Sequence, residues 1–308
     1  MVKPRALHRG SRIAVIAPAS PFERDEFDRG VQELRRLGFD PVYDESVFAR
    51  HRAFLAGPAE VRARAFLSAW RDPDVSALIA VRGGYGSAHL LPFLKDDELR
   101  RTPKALIGYS DVTALLNFLT IGCGIVGFHG PMLDRRLSRP GEGYDERSFL
   151  GALCAVKPLG ELVPPSLEAI RPGDAAGVLF GGNLTQLVSS LGTPFAFDPP
   201  PGFVLFVEEV GERPYRLDRM MTQLAQAGIM ARAAAIVVGE LPKCDEPGGS
   251  PSGRGVMADF LAEFRGPVVA GFPSGHTNGP AMTLPLGVRC RVVADPRPRL
   301  IVEEAAVA

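Results

Sequence analysis

The stretch Lys104-Ala-Leu-Ile-Gly-Tyr-Ser-Asp-Val-Thr-Ala-Leu-Leu-Asn-Phe-Leu119 runs a short apolar strand directly into an amphipathic helix. Gly108 closes the strand and the helix begins immediately after Ser110. So sharp a strand-to-helix turn lifts a serine hydroxyl clear of the sheet and aims the next amide, that of Asp111, at the same point. The helix N-terminus adds a partial positive charge there, where an oxyanion would be stabilised. Ser110 or Asp111 also suits a plain helix cap. The second glycine of the usual Gly-x-Ser-x-Gly elbow is missing, so the segment alone does not choose between nucleophile and cap.

The same strand-helix alternation extends to both sides. Residues 13–17 form an apolar run ended by Pro18, and Phe27, Val31 and Leu34 then recur at helical spacing up to Gly38. Residues 41–43 form a short strand. A helix begins at Pro58 and carries Val61, Ala65 and Ala69 on one face. Residues 77–81, 105–107 and 125–128 predict further buried strands. Repeated strand-helix units of this length require right-handed crossovers and give a doubly wound parallel sheet. From Ser138 to Asp174 prolines and glycines punctuate the chain around one helical piece at 147–156, which reads as an interdomain connection. The expected organisation is an N-terminal domain over 1–140, a linker over 141–174 and a C-terminal domain over 175–308. In the last of these, strands are expected at 177–180, 204–208, 235–238, 268–270, 288–294 and 300–303. Helices are expected at 184–191, 215–227 and 256–264.

Length and charge bound the function. The 308 residues have room for two cores, 46% are hydrophobic and 23% charged, and the formal net charge is zero. That balance gives no electrostatic case for nucleic acid or an anionic membrane surface as partner. No apolar run is long enough to span a bilayer, and no apolar segment follows the basic N-terminal residues before the first strand. A cytoplasmic location is therefore expected. Cys123, Cys154, Cys244 and Cys290 lie far apart, without metal-ligand spacing, and are expected as buried thiols, with Cys244 the one in a polar loop. Neither a metal nor a cofactor is expected.

Three further stretches carry candidate chemistry. Leu78-Ile-Ala-Val-Arg-Gly-Gly-Tyr-Gly-Ser-Ala-His89 holds a Gly84-x-Gly86 loop after a strand. A dinucleotide loop has that context, but the third glycine position is His89 and no ribose-binding acid follows at the expected distance. Exposed glycine amides suit a developing oxyanion equally well. His276 lies in Ala270-Gly-Phe-Pro-Ser-Gly-His-Thr-Asn-Gly-Pro280, a loop in which a histidine has no packing reason to be. His129 competes with it, and His8, His51 and His89 have less to recommend them. Glu208 and Glu209 end an apolar strand, and alternation sends them to opposite faces, so one of the two faces a crevice. A serine, an acid, a histidine and amide donors together are what acyl transfer requires.

At this point the sequence resembles the LD-carboxypeptidase (muramoyl-tetrapeptide carboxypeptidase) family of serine peptidases. The matching pieces are Ile16-Ala-Pro-Ala-Ser20, Ala80-Val-Arg-Gly-Gly-Tyr-Gly86, Ile107-Gly-Tyr-Ser-Asp-Val-Thr113, Phe180-Gly-Gly-Asn-Leu184, Leu205-Phe-Val-Glu-Glu-Val-Gly-Glu212, Pro214-Tyr-Arg-Leu-Asp-Arg219 and Gly271-Phe-Pro-Ser-Gly-His276. They follow the family order over nearly the whole chain. The resemblance implies an α/β fold with a flavodoxin-like, doubly wound N-terminal domain and a mixed, β-rich C-terminal domain, usually in a homodimer. It implies a Ser110-Glu208-His276 triad, choosing the first of the two acids, with oxyanion donors at the amides of Gly84 and Asp111. Gly83, Tyr85, Asn183 and Arg216 fall in motifs that line or support the cleft. The implied substrate is a muropeptide whose C-terminal D-alanine is released from an L-centre during cell-wall recycling. A related branch, the microcin C immunity-type hydrolases, cleaves peptidyl or aminoacyl nucleotides and carries an aromatic loop that stacks on the base. Here Trp70 is the only tryptophan and the loop from Cys244 to Arg254 has no aromatic residue, which favours the wall-recycling branch.

Overall fold

The computed structural model describes residues 1–308. Five short apolar runs form parallel strands: β1 (Arg12–Ile16), β2 (Asp40–Val42), β3 (Val75–Ala80), β4 (Ala105–Gly108) and β5 (Gly127–His129). Their order is β5-β4-β3-β1-β2, the flavodoxin-like arrangement expected of doubly wound strand-helix units. β3 and β4 are almost wholly buried, so they read as continuous apolar runs rather than alternating ones.

The second sheet has eight strands. They are β6 (Gly160–Leu162), β7 (Glu168–Arg171), β8 (Asp174–Asn183), β9 (Phe203–Glu208), β10 (Ala233–Gly239), β11 (Val268–Phe272), β13 (Arg289–Val293) and β14 (Arg299–Val302), with β12 (Leu284–Leu286) lying elsewhere. The order is β6-β14-β13-β8-β9-β10-β11-β7, parallel from β8 to β11 and antiparallel on both flanks. The mixed, β-rich second half is therefore present.

Three strands differ from the sequence expectation. β12 leaves the second half and pairs antiparallel with β5, extending the first sheet. β6 and β7 lie within the stretch expected as a linker and close opposite edges of the second sheet. All three are edge strands of three or four residues, too short to show a period, and β12 contains Pro285, which an edge tolerates. The helix Glu146–Cys154 also buries Phe149 and Leu153 in the core around the first sheet. Segment 141–174 thus contributes to both layers besides connecting them. Cys244, despite its place in a polar loop, is fully buried like Cys123 and Cys290, and a Cβ at Gly253 would lie 2.8 Å from its own Cβ. No helix is long and apolar enough to cross a membrane.

The parallel strands of both sheets end toward one region. The amide of Asn183, at the end of β8, donates to Thr113 Oγ1 at 3.1 Å, just after the turn that follows β4. This contact seats the carboxyl end of the second sheet on the turn carrying Ser110.

Candidate active site

β4 ends at Gly108, Tyr109 is extended, and Ser110 takes φ +61° before a tight turn over Ser110–Val112 opens the helix Thr113–Asn117. A non-glycine residue at positive φ costs about 1–3 kcal/mol and persists only where its surroundings impose it. Here Gly83 makes room for it. A Cβ at Gly83 would sit 2.9 Å from Ser110 Cβ, 3.1 Å from its Oγ and 3.3 Å from the Asp111 amide nitrogen. Only glycine lets the two backbones approach this closely.

The glycine loop is pinned from three sides. Ser20 donates its amide to Gly83 O at 3.1 Å; its Oγ accepts the Tyr85 amide at 3.1 Å and donates to Phe54 O at 2.8 Å. The buried Arg62 guanidinium donates to Gly86 O at 2.7 Å, to Gly57 O at 3.0 Å and to Pro18 O. Asp111 Oδ2 accepts the Ser87 amide at 2.7 Å. That last bond decides against the dinucleotide reading. The loop opens only a short 3-10 turn, Ser87–Phe93, and the protein's own carboxylate occupies its first amide.

The strand's two-residue period separates the two glutamates. Glu208 Oε2 lies 2.7 Å from His276 Nδ1 and accepts the His276 backbone amide at 3.0 Å. Glu209 turns the other way: its Oε1 accepts from Asn183 Nδ2 at 3.0 Å and from the Val210 amide at 2.9 Å, and its Oε2 from the Thr185 amide at 2.9 Å. Burial works to raise the Glu208 pKa, yet His276, its hydrogen bonds and His129 outweigh burial and hold it below the ordinary carboxylate range. Glu209 is pushed up by burial and by the neighbouring Glu208 charge. For His276 burial works downward, but Glu208 prevails and the imidazole sits above the usual histidine value. An ionised carboxylate can only accept, so Nδ1 carries the proton and Nε2 is the free nitrogen of the neutral ring.

His129, the competing histidine, is fully buried behind the same acid. Its Nδ1 lies 3.0 Å from Ser274 Oγ and its Nε2 3.9 Å from Glu208 Oε1. Burial drives its pKa down to about 4, so it stays neutral, shut away from substrate.

The remaining expected residues divide. Tyr85 is exposed beside the glycine loop, its ring edge-on to His89 at 5.2 Å. Asn183 is buried, its amide shared between the helix cap at Gln186 and Glu209, so it supports the acid pair from behind. Arg216 is exposed and paired with Glu212. Sequence reasoning missed Ser20, Arg62 and Arg136, whose guanidinium donates to the carbonyl of Gly275 at 2.8 Å and so reaches the His276 loop. Ser20 ends a motif that could have drawn attention. The two arginines bond mostly backbone carbonyls, which leave no mark in a sequence.

Comparison with known proteins agrees across the chain. The LD-carboxypeptidase N-terminal domain family matches residues 13–130 and the LD-carboxypeptidase C-terminal domain family matches residues 176–292. The murein tetrapeptide carboxypeptidase of Pseudomonas aeruginosa is 33% identical over 274 residues, covering 86% of this chain and 88% of that protein. The crystal structure of muramoyltetrapeptide carboxypeptidase from Oxalobacter formigenes superposes with TM-score 0.84 at 31% identity, over 95% of this chain and 99% of that one. The microcin C7 self-immunity protein MccF of Escherichia coli is 28% identical over 94% of this chain and 91% of its own length. The structure of MccF in the wild-type apo state superposes with TM-score 0.91 at 25% identity over the whole of both chains.

Proposed function

The chain belongs to the LD-carboxypeptidase family and is a serine-type carboxypeptidase; from that premise we propose that Ser110, Glu208 and His276 are its catalytic triad. The proposed substrate is a cytoplasmic tetrapeptide muropeptide that loses its C-terminal D-alanine. The observation that carries the reading is Ser110 at φ +61° on a strand-to-helix turn, the strained backbone of a nucleophile elbow. The Glu208–His276 contact at 2.7 Å supplies the other half of the machinery.

In the proposed mechanism His276 Nε2 takes the Ser110 proton as Oγ attacks the carbonyl of the scissile amide. Glu208, buried and ionised, fixes the ring through Nδ1–H and stabilises the imidazolium that forms. The tetrahedral oxyanion is assigned to the backbone amides of Gly84 and Asp111, fixed donors of the kind that stabilise developing charge without reorganisation. The Gly83 approach and the Ser20, Arg62 and Asp111 contacts hold that geometry. Collapse of the intermediate with proton transfer from His276 to the amine releases D-alanine. Water, deprotonated by the same ring, then hydrolyses the acyl-enzyme.

The wall-recycling branch is favoured over nucleotide conjugates by the position of the single tryptophan and by a 244–254 loop without aromatic residues. Trp70 is buried, stacked on Phe66 at 5.5 Å, with its indole N–H bonded to Leu99 O at 3.3 Å, so it is unable to stack on a base. The experiment is mass spectrometry of defined tri-, tetra- and pentapeptide muropeptides, with an aminoacyl-adenylate analogue alongside. Native protein should release D-alanine from the tetrapeptide only, and Ser110→Ala should abolish release while keeping the native circular dichroism. Undiminished turnover by Ser110→Ala would refute the triad. Cleavage of the adenylate with an intact tetrapeptide would refute the substrate.

A further inference from the structure

Arg136 is a buried cation that the mechanism above does not use. It lies in the turn after β5, within Leu133-Asp-Arg-Arg-Leu137, where Arg135 takes φ +63° and the chain reverses sharply. No carboxylate neutralises it: the adjacent Asp134 pairs with Arg82 at 3.2 Å and lies 3.8 Å from Arg135. Its donors go to backbone carbonyls. Nη2 donates to Gly275 O at 2.8 Å and to Thr277 O at 3.3 Å, the residues on either side of His276. Nη1 donates to Gly279 O at 3.1 Å and to Gly143 O at 3.1 Å. Nε reaches the Tyr109 hydroxyl at 3.4 Å, on the residue before Ser110. The ring of Tyr109 in turn stands edge-on to the His276 ring at 5.0 Å.

We propose that Arg136 is the positioning residue that joins the nucleophile turn to the loop carrying His276, fixing the ring's place relative to Ser110. This rests on His276 being the base. The planar guanidinium suits the task because its donors fan out in fixed directions, so one side chain sets several carbonyls at once. A buried, unpaired cation is costly, and carbonyl dipoles compensate it only while the loop keeps its shape. The arrangement therefore favours one loop conformation over others. The loop and the turn lie in different halves of the chain, and Arg136 ties them at the point where the reaction needs register.

The charge also acts on the base. The titratable groups around His276 are Glu208 at the end of β9, Glu209 next to it but turned to the opposite side, His129 from β5, Tyr109 from the nucleophile turn and Glu240 bonded to Asn278, together with Arg136. Arg136 is the one cation among them, and it opposes protonation of the imidazole while the acids favour it. Removing the cation should raise the pH at which His276 becomes neutral.

The test uses the full chain with Arg136→Met and Arg136→Lys. Two readouts are taken: kcat and KM for D-alanine release, and the His276 titration followed by NMR. Arg136→Met should lower kcat by about 100-fold, the scale of a misplacement near 1 Å, with KM changed by less than about threefold. Its His276 midpoint should move to higher pH. Arg136→Lys keeps the charge but not the fan of donors, so it should hold the native midpoint and regain only part of kcat. Native kcat in folded Arg136→Met, or an unmoved midpoint, overturns the proposal. If Arg136→Met does not fold, Arg136→Lys decides: reduced kcat at the native midpoint supports positioning, and native kcat refutes it. The NMR arm needs no substrate, so native protein inert on the tetrapeptide would sink the proposed function while leaving this inference separately decidable.

Discussion

Glu208 and Glu209 have identical side chains, and a strand period of two residues gives them opposite surroundings. One faces two imidazoles and is held ionised; the other faces an amide side chain and backbone N–H groups and is pushed toward its neutral form by burial. Glu208→Gln exchanges one acceptor oxygen for an NH2 group, which either loses the Nδ1–H bond or turns the His276 proton to the wrong nitrogen. Loss of the orienting acid in this way costs about 10⁴ in kcat in a serine protease triad, and a drop on the order of 10²–10⁴ is expected here. Glu209→Gln keeps the shape and leaves an acceptor for part of its network, so kcat within about fivefold of native is expected. Steady-state kinetics on the two variants decide the matter, and greater damage from Glu209→Gln would remove Glu208 from the triad. Alternation in the sequence already separated the two acids onto different faces. It left the choice open because the face that meets His276 depends on where a loop 68 residues later returns.

At the scale of elements, the strands seen in advance were the interior ones, whose apolar runs need no partner to be recognised, and one edge strand, β2, marked off by the helix stop at Gly38 before it. The unseen ones, β6, β7 and β12, are edges whose identity comes from pairing. The turn after β11 shows the same limit. Its glycines and prolines marked a loop, but not that Gly275 holds φ +81° with its missing Cβ aimed between Glu208 and His129. A Cβ there would lie 2.7 Å from Glu208 Cδ and 2.7 Å from His129 Cε1. Gly275→Ala must therefore shift the loop and the acid together. About 1–3 kcal/mol of stability should be lost from the backbone conformation alone. A larger proportional loss is expected in kcat, on the order of tenfold to 100-fold, because the same movement displaces His276. Thermal denaturation and kinetics on one preparation test this, and native kcat in the variant would show that the close approach at Gly275 is not what sets the acid's position.

At the scale of the whole molecule, two sequence-distant halves share one core. The apolar cluster around the first sheet contains Ile107 and Phe128 from the first half, and Leu284, Leu286, Val292 and Leu300 from the last part of the chain. β12 supplies the physical link: Leu284 stands opposite His129 across the antiparallel pair, on the strand that ends behind Glu208. The second sheet's own cluster, built on Leu205, Ile236 and Leu217, adjoins this core through strands that face both ways. A chain stitched in this manner has no surface along which one half could melt and leave the other intact, so heating should give a single transition. Leu284 is fully buried, and Leu284→Ala should cost about 2–5 kcal/mol by loss of burial and the cavity left behind. Because the residue belongs to both halves, that cost should lower the one midpoint without splitting it, and activity should vanish with the same midpoint. Calorimetry of native and Leu284→Ala protein measures this directly. Two resolved transitions, or a first-half signal unmoved by a substitution in the last thirty residues, would mean that β12 only covers the first sheet and does not join it.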